Sequence, residues 1–181
     1  MNEDMVPLTR HDLQRYIDEQ DIEATLLADI GDTPTVVAAA EVLGVVPDRV
    51  LKTLLVTIEP VREQTDGTPP DDTVRRYAVV ISHGEHRIDK RTLSRFFQVG
   101  RKRVRMASAE VVLEYVGYPV GGVPPLGHRS KLPVFLDESI LALDESEGGV
   151  VFAGGGDDST MMRVTVGELL RVLEPTVMPL S

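Results

Sequence analysis

No regular secondary structure can pass through Gly117-Tyr-Pro-Val-Gly-Gly-Val-Pro-Pro-Leu-Gly127, where four glycines and three prolines fall within eleven residues. Proline lacks the N–H that helices and sheet interiors require, and glycine loses the most backbone freedom on ordering. The segment is therefore a long loop, and long loops inside compact folds commonly carry function. Its glycines let backbone approach a ligand closely, while its prolines stiffen the path. Such a loop suits presenting backbone N–H groups to an ester carbonyl or a phosphate oxygen. The plainer alternative is a rigid connector across the end of a sheet.

Around this loop the sequence alternates between helical and extended patterns. Thr9 caps a helix to about Gln20 that buries Leu13, Tyr16 and Ile17. Thr35 caps a second helix through Ala38-Ala39-Ala40, stopped by Gly44. Leu51–Ile58 and Tyr77–Ser82 are β-branched and apolar, and read as strands. Between them Glu63–Asp72 combines a glycine, two prolines and four acids, so a flexible hairpin loop is expected at about 62–74. Asp89 caps a helix to about Phe97, ended by Gly100, and a short strand covers Arg103–Met106. Ser108 caps the next helix, to Tyr115, and Gly117 closes it. Strands follow at Pro133–Leu136, Val150–Ala153 and Met161–Val164. Thr165 and Glu168 form a capping box, each side chain serving the other's backbone N–H, at the start of the last helix. Residues 1–181 read as one α/β domain with a mixed sheet.

Composition removes several chemistries. The chain has no cysteine, which excludes disulfides, a thiolate nucleophile and Cys-ligated zinc. No apolar run reaches the ~18 residues of a membrane span. The opening Met-Asn-Glu-Asp is too acidic and polar for a secretory signal, so a cytoplasmic location is expected. A net charge of −10 argues at first against a polyanionic partner. Yet Arg87 to Arg105 holds eight positive side chains and one acid, a local +7 that leaves −17 for the rest. That stretch reads either as a solvated face or as a docking face for phosphates.

Lys52 stands in the otherwise apolar Val50-Leu-Lys-Thr-Leu-Leu-Val56, where a lysine needs a partner or an opening. It either snorkels to water or faces a cleft that holds a phosphate or a polarised carbonyl. Ala153-Gly-Gly-Gly-Asp-Asp158 is a second glycine turn, without the Gly-Lys-Ser/Thr ending of a P-loop. His83 and His86 are three residues apart across a glycine turn, with no third ligand near in sequence, so no metal is expected. No Gly-x-Ser-x-Gly occurs, and a hydrolase of this sequence has no obvious protein nucleophile.

Taken in order, these segments resemble the YbaK-type, prolyl-tRNA-synthetase-associated editing domains, over about Thr35 to Leu173. The landmarks are Ala38–Gly44, Pro47-Asp-Arg-Val50, Leu51-Lys-Thr-Leu54, Lys102-Arg-Val-Arg-Met106 and Gly117-Tyr118. After these come Gly121-Gly-Val-Pro-Pro-Leu-Gly127, Phe135-Leu-Asp-Glu-Ser139 and Gly154-Gly-Gly156. The resemblance implies a mixed, mostly antiparallel sheet surrounded by helices, with no metal or organic cofactor. It implies a deacylase acting in trans on mischarged aminoacyl-tRNA, chiefly Cys or Ala on proline tRNA, with prolyl-tRNA synthetase as an associated partner. The family's lysine falls on Lys52 and would hold the terminal adenosine's phosphate or ribose, with Thr53 beside it. The family's Gly-x-x-x-Pro loop falls on Gly121, Gly122, Val123 and Pro125, whose backbone would fix the aminoacyl carbonyl. Gly154 and Gly155, with Ala153 and Asp157, would shape the aminoacyl pocket, and Arg101, Lys102, Arg103 and Arg105 would meet the tRNA.

Three positions depart from the family pattern. Ala153 replaces a serine found in some members, Asp157 and Asp158 replace a basic ending, and Val116 replaces a common threonine. They leave open the amino acid removed. A non-catalytic tRNA- or nucleotide-binding module of the same fold is the alternative from a different class, and a hydrolase of another small acyl ester is a third.

Overall fold

One strand organises the molecule because both of its faces are covered. In the computed structural model, which describes residues 6–31, 33, 35–59, 76–145 and 147–181, Ala78, Val79, Val80 and Ile81 of β3 (Arg76–His83) are all fully buried. Successive strand side chains point to opposite faces. A continuous apolar run is therefore what a strand with a core on each side requires. Val79 and Ile81 join a large core, and Ala78 and Val80 a second one behind it.

β3 pairs antiparallel with β2 (Leu51–Ile58) along its whole length, and parallel with β5 (Val134–Asp137). β4 (Val104–Met106) extends the sheet beyond β2, and β8 (Thr176–Met178) extends it beyond β5. A second sheet has the order β1 (Ala24–Leu27), β7 (Met161–Thr165), β6 (Val150–Gly154), all antiparallel. The α/β class and the mostly antiparallel pairing are as expected. The strands divide into two sheets, however, joined by a single parallel bridge between Val50 and Phe152.

Helices cover these sheets as their caps dictate. α1 (Arg10–Glu19) lays Leu13 and Ile17 into the large core, while Tyr16 is only half-buried. α2 (Val36–Leu43) packs Ala39 and Ala40 against Val50, Phe152 and Met161. α3 (Lys90–Phe96) buries Leu93 against the far face of the larger sheet, and α4 (Ala109–Tyr115) leads into the Gly/Pro loop. α5 (Val166–Leu173) seats Val166 and Leu169 in the large core. Fully burying side chains of this size contributes about 1.5–3 kcal/mol each.

Thr35, Asp89, Ser108 and Thr165 each accept a hydrogen bond from a first-turn N–H, as their positions predict. Two details differ. The residue with positive φ after α3 is Gln98 (φ 54), not Gly100, so the chain turns two residues early. At α5 the box is half made: Glu168 accepts from the N–H of Glu23 at 2.8 Å and pairs with Arg171. The carboxylate is thus taken by the Glu23 N–H and the Arg171 guanidinium and not by the N–H of Thr165. The loop expected at about 62–74 lies outside the described residues. Among the described residues, no helix is long and apolar enough to cross a membrane.

Candidate active site

β4 is too short to cover its neighbour. It pairs only with Val56, Thr57 and Ile58, and among the described residues no other strand pairs with Lys52, Thr53 and Leu54 on that side. An open edge presents unpaired backbone groups, and here that edge forms one wall of a cavity of about 420 Å³. α2 supplies a second wall through Val36 and Ala39, and Met106 and Ala107 a third. The Gly/Pro loop closes the space with Val120, Gly121 and Val123, and Gly154 lies at the floor.

Polar groups in this apolar cleft are few and specific. Lys52 Nζ donates to the carbonyl of His86 at 2.6 Å. Burial pushes its pKa down, against the opposing charge of Glu85. Thr53 Oγ1 is buried and, among the described residues, has no hydrogen-bond partner. Ser82 Oγ, Tyr118 Oη and Asp137 Oδ2 are enclosed and unmatched in the same way. Gly121 has φ +106, and a Cβ there would meet nothing within 4 Å. Among the described residues, no protein acceptor takes the N–H of Gly121 or Val123.

The remaining glycines serve another purpose. A Cβ on Gly122 would come within 2.6 Å of the Asp157 backbone, and one on Gly154 within 2.5 Å of the Val123 carbonyl oxygen. The N–H of Gly156 donates to the Gly122 carbonyl at 2.8 Å. The two glycine segments thus press backbone against backbone, which side chains would prevent. His128 Nε2 bonds the Pro124 carbonyl at 2.7 Å and fastens the loop from beneath.

Of the residues singled out in the sequence, Lys52, Thr53, Gly121, Val123 and Gly154 therefore line one cavity. Gly122, Pro125 and Ala153 are buried behind it, and Gly155 packs on Thr160. Val116 is also buried in the large core, so neither it nor Ala153 is part of the cavity wall. Asp157 accepts from Ser159 N–H at 3.0 Å and lies 3.8 Å from Arg10. Burial would raise its pKa, but hydrogen bonds from Thr160 and Ser159 and the charge of Arg10 outweigh it and hold the carboxyl low.

Beyond β4 the chain forms a shallow depression lined by Lys90, Arg101, Lys102 and Arg105 with Ile88 and Val104. Arg103 lies in the same 3-10 turn but outside this lining. Arg105 Nε is 3.8 Å from Glu59, so part of its charge is balanced locally. Arg105 lines the depression, and Met106 and Ala107, which follow it in the chain, line the cleft.

The two histidines have a neighbour that sequence spacing conceals. The 3-10 turn Pro47–Arg49 brings Asp48, distant in sequence, beside both rings. Arg49, buried, pins that turn to the carbonyls of Leu143 and Val150. His86 is also the residue whose role the sequence did not reveal, because it holds Lys52 through a backbone atom.

The aminoacyl-tRNA editing domain family matches residues 31–172, and the chain belongs to that family. The proline–tRNA ligase of Halalkalibacterium halodurans is 32% identical over 117 residues, 65% of this chain and 17% of that ligase. The chain thus corresponds to a small part of that relative. A crystal structure of a hypothetical protein is similar with a TM-score of 0.75 and 25% identity, covering 93% of this chain and 98% of that one. A candidate trans-editing enzyme for prolyl tRNA synthetase has the same fold, with TM-score 0.74, 24% identity, and 97% and 98% coverage.

Proposed function

We propose that this protein is a trans-acting deacylase that hydrolyses the ester of mischarged aminoacyl-tRNA, with cysteine or alanine on proline tRNA as its substrates. One observation carries the reading: Lys52 lines one apolar cleft with Gly121 and Val123, whose N–H groups have no protein acceptor among the described residues. The ammonium takes the phosphate or ribose of the terminal adenosine. The loop N–H groups polarise the aminoacyl carbonyl and stabilise the charge that grows on its oxygen. Water attacks that carbon, the ester C–O bond breaks, the amino acid departs as its free carboxylate, and the water proton passes to the leaving ribose oxygen. An aminoacyl ester is already activated, so positioning and polarisation supply much of the rate without a protein nucleophile.

The basic depression supports the same reading, since its Arg105 directly precedes Met106 of the cleft, where the acceptor stem of a tRNA would pass. Such a substrate belongs to the cytoplasm, with prolyl-tRNA synthetase as the source of the error. A deacylation screen with Cys-, Ala- and Ser-charged tRNAs tests the activity, and release of at least one amino acid is expected. Salt-dependent binding with no release selects the non-catalytic module instead. Changing Arg101 and Lys102 together to Glu is expected to weaken tRNA binding and flatten its salt dependence. Unaltered affinity would rule this face out as the docking surface.

A further inference from the structure

Three side chains beside the cleft converge from separate elements: Asp48 on its 3-10 turn, His83 at the end of β3, and His86 on the turn that follows. Asp48 Oδ1 lies 3.8 Å from His83 Nδ1 and 3.8 Å from His86 Nε2. One ligand atom from each of the three falls within 4.8 Å of the others. The imidazole rings stack with centroids 4.7 Å apart and planes 23° from parallel, so both present an edge to the same carboxylate. A tetrahedral zinc ion with ligands at about 2.0–2.1 Å sets them about 3.3 Å apart. The 3.8 Å separations exceed that, and Asp48 and His86, whose side chains are 55% and 44% exposed, have room to turn inward.

The surroundings fit a cation as well as the ligand atoms do. The Asp48 carbonyl oxygen, 3.1 Å from His83 Nδ1, stands where a fourth ligand would. His83 Nε2 is 2.9 Å from Ser139 Oγ. The carbonyl can only accept, so His83 Nδ1–H donates to it and Nε2 accepts from the Ser139 hydroxyl. A cation at Nδ1 displaces that proton to Nε2, which then donates to Ser139, the outer-partner arrangement of metal-bound histidines. Gly84, at φ +54, is required for this geometry, because a Cβ there would collide with Asp48 Oδ1. Buried Arg49, the next residue, fixes the turn that carries Asp48.

We propose that Asp48 Oδ1, His83 Nδ1 and His86 Nε2 bind one first-row transition-metal cation of the zinc type, completed by the Asp48 carbonyl or water. Two imidazoles and a carboxylate select zinc, cobalt or nickel over calcium or magnesium. The site does not rest on the deacylase reading. It touches the cleft through one bond, since the His86 carbonyl is the acceptor of Lys52 Nζ. A bound cation would hold the turn that fixes that ammonium.

Calorimetric titration of the purified chain with Zn²⁺ tests the proposal, with Co²⁺ absorption reporting tetrahedral ligation. One Zn²⁺ per chain is expected. His86→Gln and Asp48→Asn should each weaken binding by about 100-fold or more, and Ser139→Ala by roughly 10-fold. His11→Gln, on α1, should leave it unchanged. Absence of stoichiometric binding, or affinity that survives both ligand substitutions, overturns the site. Imidazole NMR of the unaltered chain tests the same ligands without depending on variants. Zn²⁺ should move the ring resonances of His83 and His86 and spare those of His11 and His128, and the reverse pattern would refute the proposal.

Discussion

The two halves of β2 share a strand but not a purpose. Val56 and Ile58 have a strand on either side and are almost completely buried. Among the described residues, Lys52, Thr53 and Leu54 have a strand on one side only, and their side chains are half-buried along a cavity. The first group is sheet interior, and the second lines the cavity. Because the two are covalently continuous, the open edge is as firmly held as the core. A binding surface on a strand is thus more exact in position than one on a loop alone.

Substitutions in the two halves should separate cleanly. Ile58→Ala is expected to cost about 2–5 kcal/mol of stability through lost burial and a cavity, measured by chemical denaturation. An effect below about 1 kcal/mol would mean that the paired half is not what supports the sheet. Lys52→Ala should change stability by less than about 0.5 kcal/mol. On the proposed function, the same variant lowers deacylation by about 100-fold in single-turnover assays. A variant that unfolds, or one that keeps full activity, would erase the distinction between the halves.

Acid should attack the frame rather than the cleft. Glu168 is held at a pKa of about 2, chiefly by its hydrogen bond to Arg171, with the Glu23 N–H and the Arg171 charge assisting against burial. A carboxyl depressed in the folded state adds stability above its ordinary value of 4.5, and that stability is lost as pH falls toward 2. Allowing for the exposure of Arg171, the contribution is about 2 kcal/mol. Glu168→Gln should remove it at pH 7 and flatten the stability profile between about pH 5 and pH 2. A parallel, undiminished profile would place the acid sensitivity elsewhere.

Local physics made much of the fold legible. The helix caps at Thr35, Asp89, Ser108 and Thr165 are written within four residues, and so is the doubly covered run of β3. Strands Ala24–Leu27 and Thr176–Met178 were not legible, because both are short and exist through partners far away in sequence. In the site, a lysine in an apolar strand called for an opening, and a cavity lies there beside the Gly/Pro loop. Which glycines face open space and which hold two backbones together did not follow from residue type. That depends on the approach of residues 121–123 to 154–157, which only the folded chain brings about. Asp48 and His83 likewise stand 35 residues apart until the β2–β3 pairing joins them.

The clasp between Gly156 N–H and the Gly122 carbonyl has a kinetic meaning. Together with the His128 tie to Pro124, it settles the shape of the recognition loop during folding instead of during the encounter with a ligand. Ordering entropy is then spent before any substrate arrives, and association needs no closing step. Capture should follow a single bimolecular phase whose rate rises linearly with ligand concentration, and discrimination should reside in how long each ligand stays.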